Sequence, residues 1–129
     1  MISASVAICT HNRSQVIGRA VEHALREARS CDAELLVVDN ASTDATAATL
    51  AAMRTAEMRV VREPELGLSA ARNRALAEAR GAVVAFLDDD AVPRAGWLAA
   101  LLGAYAQAGV ACVGGRILLH FPAPPPPWL

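Results

Sequence analysis

No block of basic charge and no acidic tail occurs in these 129 residues, whose formal net charge is −1. The charge pattern therefore calls for no nucleic acid and no anionic lipid surface as a partner. The opening stretch "MISASVAICTHNR" lacks both a basic segment and a long apolar run, so no secretory signal is expected. Cys9, Cys31 and Cys112 are odd in number and form neither a Cys-x-x-Cys pair nor a Cys/His ligand cluster. That spacing suits a reduced, cytoplasmic compartment, with Cys9 and Cys112 as small buried residues of apolar runs. No glycine-rich turn follows the first apolar segment. "CTHNRSQVIG" is not a dinucleotide fingerprint, which sets aside a nicotinamide dehydrogenase. A hydrolase elbow, a Ser–His–Asp order and internal repeats are also missing.

What is present is a chain 54% hydrophobic and 19% charged, enough for one small domain with a core. "SVAIC" (Ser5–Cys9) reads as a strand. Val16–Arg29 reads as a helix with Ile17, Ala20, Val21, Ala24, Leu25 and Ala28 on one face. "ELLVVD" (Glu34–Asp39) is a continuous apolar run, as in a parallel strand covered on both faces. A helix capped by Ser42 or Thr43 and running to about Thr55 follows, then a strand at Met58–Arg62. Ser69 opens a helix that ends near Arg80, and Ala82–Leu87 is a fourth strand. The uncharged stretch Ala95–Gly115 is long enough to span a bilayer. Its glycines and Gln107 divide it instead into a helix, with Trp97, Leu98, Leu101, Leu102 and Tyr105 as its stripe, and a short strand at Val110–Val113. Strand and helix alternate throughout. The fold class is α/β, a Rossmann-like, mostly parallel sheet with helices on both faces. Residues 1–121 form the domain, and the proline-rich residues 122–129 an extended tail.

Ligands of open α/β sheets bind at the carboxyl ends of the strands. "THNR" (Thr10–Arg13), Asp39 with Asn40, and Asp88, Asp89 and Asp90 stand at three such ends. If the strand direction continues through the triplet, Asp88 and Asp90 point one way and Asp89 the other. Two carboxylates on one side suit a hard divalent cation, whose other positions are filled by waters and phosphates; a solvated acidic turn would have the same composition. Arg72 falls on a stripe of Leu68, Ala71, Ala75, Leu76 and Ala79 expected to face inward. A buried arginine needs an anion, either one of these aspartates or a bound phosphate. Asp39 either ends its strand or accepts hydrogen bonds from a ribose or base. His23 reads as an exposed helix residue, and His11 as either a solvated turn residue or a ligand contact.

Four stretches, "SVAICTHNR", "LLVVDNASTD", "GLSAARNRAL" and "VVAFLDDDAVPRAGWL", resemble in order the N-terminal, nucleotide-binding half of family 2 glycosyltransferases of the GT-A fold. The resemblance covers nearly all of residues 5 to 102. It implies that Thr10, Asn12 and Arg13 line a base pocket and that Asp39 accepts a hydrogen bond from the base. Arg72 would face the base or diphosphate. Asp88–Asp90 look like the family's Asp-x-Asp motif, with Asp90 and Asp88 at a Mn or Mg ion and Asp88 and Asp89 near the nucleotide sugar. The implied partner is a nucleotide-sugar donor, a UDP-sugar foremost, with transfer to an acceptor hydroxyl. Members of the family are about twice this length or more, so the general base is expected beyond Leu129, and an uncovered sheet edge could drive self-association. A non-catalytic nucleotide-sugar-binding module acting through a partner is the alternative. Haloacid dehalogenase-type phosphatases carry their Asp-x-Asp pair on the first strand, and nucleotidyltransferases of similar fold begin with a glycine-rich loop. Neither pattern is found here.

Overall fold

The computed structural model describes residues 2–129. Strands β1 (Ala4–Thr10), β2 (Glu34–Asn40), β3 (Met58–Glu63) and β4 (Val83–Phe86) alternate with helices α1 (Ile17–Ser30), α2 (Thr46–Ala52), α3 (Leu68–Glu78) and α4 (Trp97–Tyr105). The four strands form one sheet in the order β3-β2-β1-β4. All pairings are parallel, with Thr10 level with Asp39 and Ala7 level with Phe86. The α/β class expected from the alternating elements is therefore the observed one. Every residue of β2 is buried, as a central strand covered on both faces requires.

The two faces are covered unequally. On one, Val6, Ile8, Leu35 and Val37 pack against Ile17, Val21 and Leu25 of α1, Leu50 of α2 and Leu98 of α4. Each of these side chains, all but Leu25 fully removed from water, contributes about 1.5–3 kcal/mol. On the other face Ala7, Leu36 and Val38 meet Ala71 and Ala75 of α3, with Cys9, Val61, Ala79 and Val84 partly buried around them. Here the expected inward stripe of α3 needs correction. Leu68 is 57% exposed and Leu76 55% exposed, and Arg72 between them is exposed as well. The alanine row 71/75 faces the sheet, whereas the 68/72/76 row is exposed, with Arg72 5.7 Å from the Phe86 ring centroid of β4. β4 is an edge strand with nothing beyond it among the described residues, so this row is left uncovered.

The end of the sheet opposite the ligand-binding end is fastened by a polar knot. The buried Glu34 carboxylate accepts the Ser5 hydroxyl (2.7 Å), the Arg80 N–H (2.8 Å) and Arg59 Nε (2.9 Å). Burial pushes the Glu34 carboxyl up, but the Ser5, Arg80 and Arg59 donors outweigh it, and the net pKa is lowered. Gly81 closes the knot: a Cβ there would lie 2.3 Å from the Ala4 carbonyl carbon.

Several expected details differ. α2 ends at Ala52 rather than near Thr55, and Ala45, not Ser42 or Thr43, precedes its first residue. Gly67 rather than Ser69 stands at the start of α3. Residues 110–113 form no strand, although the outer edge of β4 is unpaired among the described residues, and Cys112 is exposed rather than buried. His23 is half-buried. Among the described residues no helix is long and apolar enough to cross a membrane.

Candidate functional site

The carboxyl ends of β1, β2 and β4 enclose a cleft of about 480 Å³ lined by Cys9, Thr10, His11, Arg13, Asn40, Leu66, Gly67, Leu68, Ala71, Asp88, Asp89 and Asp90. The acidic triplet lies beyond the end of β4, in a turn in which the Asp88 carbonyl accepts the Ala91 N–H at 3.1 Å. It is therefore not the continued strand that alternation assumes. The turn still separates the three carboxylates. Asp89 reaches under the cleft, where Oδ2 accepts the Thr10 hydroxyl at 2.8 Å and lies 3.7 Å from Arg13 Nε. Its side chain is 14% exposed. Asp88 and Asp90 are exposed. Neither has an ion-pair partner among the described residues.

Two unpaired carboxylates on a cleft wall, with a third fixed beside them, are a fitting donor set for a hard cation that keeps waters and takes phosphate oxygens. No group of three or more His, Cys, Asp or Glu side chains among the described residues could hold an ion alone.

The first wall is the turn after β1. Asn12, with φ of 50°, faces away from the cleft. Its Oδ1 accepts the Thr43 N–H (2.7 Å) and the Asp44 N–H (3.3 Å), and its own N–H donates to Ser42 Oγ (3.0 Å). Asp44 in turn takes the Thr46 hydroxyl and N–H and the Ser14 N–H. The Thr46 hydroxyl does most to hold its carboxyl down, to about 2. Asn12 is thus a clasp between two loops, while Arg13 next to it lines the cleft. His11 Nδ1 lies 2.7 Å from the Asn40 carbonyl, so it carries the proton, and Nε2 accepts from Asn12 Nδ2 (3.2 Å).

Asp39 does not line the cleft. One strand over from Thr10, its Oδ1 accepts the Ser42 N–H at 3.2 Å and its Oδ2 lies 3.5 Å from Arg62 Nη1. Arg72 stands beside the cleft rather than in it, lining an adjoining recess with Cys9, Leu68, Phe86, Leu87 and Asp88. Burial raises the Cys9 thiol's pKa; Arg72 opposes this and Asp89 and Asp88 reinforce it.

Asn40, named with Asp39 at the end of its strand, does line the cleft, and it and Glu27, which sequence reasoning did not single out, each hold distant segments together. Asn40, buried at 4% exposure, donates from Nδ2 to the Glu63 and Glu65 carbonyls (3.1 and 2.6 Å). Its Oδ1 accepts the Gly67 N–H at 2.9 Å. One side chain thereby shapes the Leu66–Leu68 wall, where Gly67 takes φ of 148°. Glu27 is buried on α1 and accepts N–H groups at the start of α4. Its signal was available in the pattern: a charge three residues after Ala24 and seven after Ala20, on the apolar stripe of α1.

The sequence model of glycosyl transferase family 2 matches residues 5–129. Glycosyltransferase AglE of Haloferax volcanii is 35% identical over 92 residues, which are 69% of this chain and 30% of that protein. The succinoglycan biosynthesis protein ExoM of Rhizobium meliloti is 27% identical over 129 residues, 96% of this chain and 41% of that one. Among solved structures, the mannosyltransferase PcManGT from Pyrobaculum calidifontis, in complex with GDP-Man and Mn2+, superposes with a TM-score of 0.74 at 29% identity. The match covers 83% of this chain and 33% of PcManGT. Glucosyl-3-phosphoglycerate synthase from Mycobacterium tuberculosis, with Mn2+, UDP and phosphoglyceric acid, gives a TM-score of 0.69 at 25% identity over 84% of this chain and 41% of that one. The chain thus spans well under half the length of these relatives.

Proposed function

This chain belongs to glycosyl transferase family 2, and on that premise we propose that its cleft binds the nucleoside diphosphate of a nucleotide-sugar donor through a divalent cation. The observation that carries the reading is the pair of unpaired carboxylates, Asp88 and Asp90, beside an Asp89 pinned to Thr10 in the same cleft. Carboxylates left without a cation on a concave surface repel one another and any phosphate, so they suit a site that a metal completes. Structures similar to this chain hold Mn2+ together with GDP-Man or UDP, which supports a Mn or Mg ion here.

In this reading Asp88 and Asp90 hold the ion, and Asp89, fixed by Thr10, is directed toward the sugar nucleotide. Arg13, in the cleft lining, and Arg72, in the adjoining recess with Asp88, offer guanidinium donors to the diphosphate. Asp39, which the resemblance puts at the base, is buried outside the cleft lining with its oxygens on the Ser42 N–H and beside Arg62, so no contact with the base is assigned to it. Asn12 contributes through its backbone turn. The bound ion supplies positive charge to the departing nucleoside diphosphate. Attack by an acceptor hydroxyl also requires a general base. Asp88 and Asp90 are assigned to the metal and Asp89 is held by Thr10, so none of the three is proposed as that base. The exposed Leu68 and Leu76 and the open β4 edge support self-association of the isolated chain, which sedimentation reads directly.

Titration with nucleoside diphosphates, with and without Mn2+, tests the assignment. Binding should be metal-dependent in the native chain. Asp90→Ala should remove that dependence while leaving the fold intact, because it deletes one of several crowded like charges. Undiminished metal-dependent binding by the variant would refute the assignment of the metal to this turn.

A further inference from the structure

Glu27 lies near the end of α1, away from the cleft, yet it holds the far end of the segment that begins with the acidic triplet. Its side chain is buried, with the residue 5% exposed. Oε1 accepts the Gly96 N–H at 3.1 Å and Oε2 the Leu98 N–H at 2.9 Å. No cationic side chain pairs with it among the described residues. A buried carboxylate is tolerated only where donors meet it. These donors belong to the first turn of α4, whose positive dipole end favours the charge. α4 has no cap from its own sequence: Gly96, at φ of 82°, stands before its first residue and offers no side chain.

The segment held in this way is the one that carries the acidic triplet. Its entry is tied to β1 by the Leu87 N–H on the Ala7 carbonyl at 3.0 Å. Its middle is tied by Asp89 on Thr10. Its exit has Pro93 buried and φ-restricted, and is then tied by Glu27. The two outer ties leave Asp88 and Asp90, which have no partner of their own, with positions set by the backbone alone. We propose that Glu27 is a positioning residue for the metal site: by anchoring the start of α4 it fixes the backbone that presents Asp88 and Asp90 to a divalent cation. The proposal rests on the metal reading above.

Glu27→Ala and Glu27→Gln provide the test. The glutamine keeps the shape and one acceptor but turns an N–H2 toward a backbone N–H. Three quantities are read below the melting transition: Mn2+ affinity with a nucleoside diphosphate present, binding of that nucleotide without metal, and amide hydrogen exchange along residues 88–98. Mn2+ affinity should fall by about tenfold or more, as for other groups that orient metal ligands. Metal-free nucleotide binding should be unchanged, and exchange should quicken at Asp88–Ala91 as well as at Gly96 and Leu98. Faster exchange at Gly96 and Leu98 alone, with Mn2+ affinity intact, would make Glu27 a helix cap and nothing more, and would overturn the proposal. If the native chain takes up no Mn2+, the metal reading fails; the exchange at Asp88–Ala91 then still decides whether Glu27 positions the turn. Should the alanine variant not fold, the glutamine variant carries the same three measurements.

Discussion

Replacing Arg72 by alanine separates a structural arginine from a ligand-binding one, and the structure sets the size of each effect. Had Arg72 been buried against an aspartate, its loss would strand a buried charge and cost about 3–5 kcal/mol. It is instead exposed, has no ion-pair partner among the described residues, and lies over the Phe86 ring at 5.7 Å. An exposed cation–π contact contributes about 0.5–1 kcal/mol. For a chain of this length each kcal/mol moves the melting temperature by about 3–5 °C, so the ligand-free variant should melt no more than about 5 °C below the native chain. A guanidinium that donates to a diphosphate is a different matter. A hydrogen bond to a charged group is worth about 1.5–3 kcal/mol, which corresponds to about 10- to 150-fold in affinity. Thermal melts with and without nucleoside diphosphate and Mn2+, alongside calorimetric titration, measure both. A fall of about 10 °C or more in the ligand-free melt, with affinity unchanged, would refute the reasoning and return Arg72 to a structural role.

Asn40→Asp preserves size but turns two donated hydrogen bonds into a carboxylate facing the Glu63 and Glu65 carbonyls. It should cost about 3 kcal/mol and weaken nucleotide binding by loosening the Leu66–Leu68 wall; a melt within a degree or two of native would contradict this. Glu34 makes the fold sensitive to acid. Its folded pKa is lowered, so its contribution is complete above the unfolded value of about 4.3 and is lost as pH falls through the folded value. The stability gap between native chain and Glu34→Gln should therefore be widest near neutral pH and close as the pH drops below that range; a gap that does not vary with pH would exclude this origin.

Much of the architecture was legible in the chain itself. The unbroken apolar run of β2 announces a strand covered on both faces, and its burial is complete. Alternation of strand and helix was sufficient for a parallel α/β sheet. The polar stretches after β1 and β4 marked two walls of the cleft, because short apolar strands must end where water and ligand begin. Periodicity also found the α1 stripe, on which Glu27 could have been noticed as a misplaced charge.

Tertiary structure decided the rest. Rows 68/72/76 and 71/75 of α3 are neighbours on one helix, and local spacing weighs them alike. Which row is buried depends on where the sheet ends, and strand order is a non-local fact. The contact of Thr10 with Asp89 joins residues 79 apart, and that of Glu27 with Leu98 joins residues 71 apart. Asn40 and Asp39 are adjacent in sequence, but the pleat sends one to the loop before α3 and the other toward Ser42 and Arg62. Residues 110–113 have strand-like composition and remain irregular although the outer edge of β4 is open, because composition marks what can pair and not what does. Composition and spacing thus determined which segments could become strands and helices and which polar residues would lie at their ends. Only packing, through hydrogen bonds between distant segments, decided which of those residues meet in the cleft and which hold it in shape.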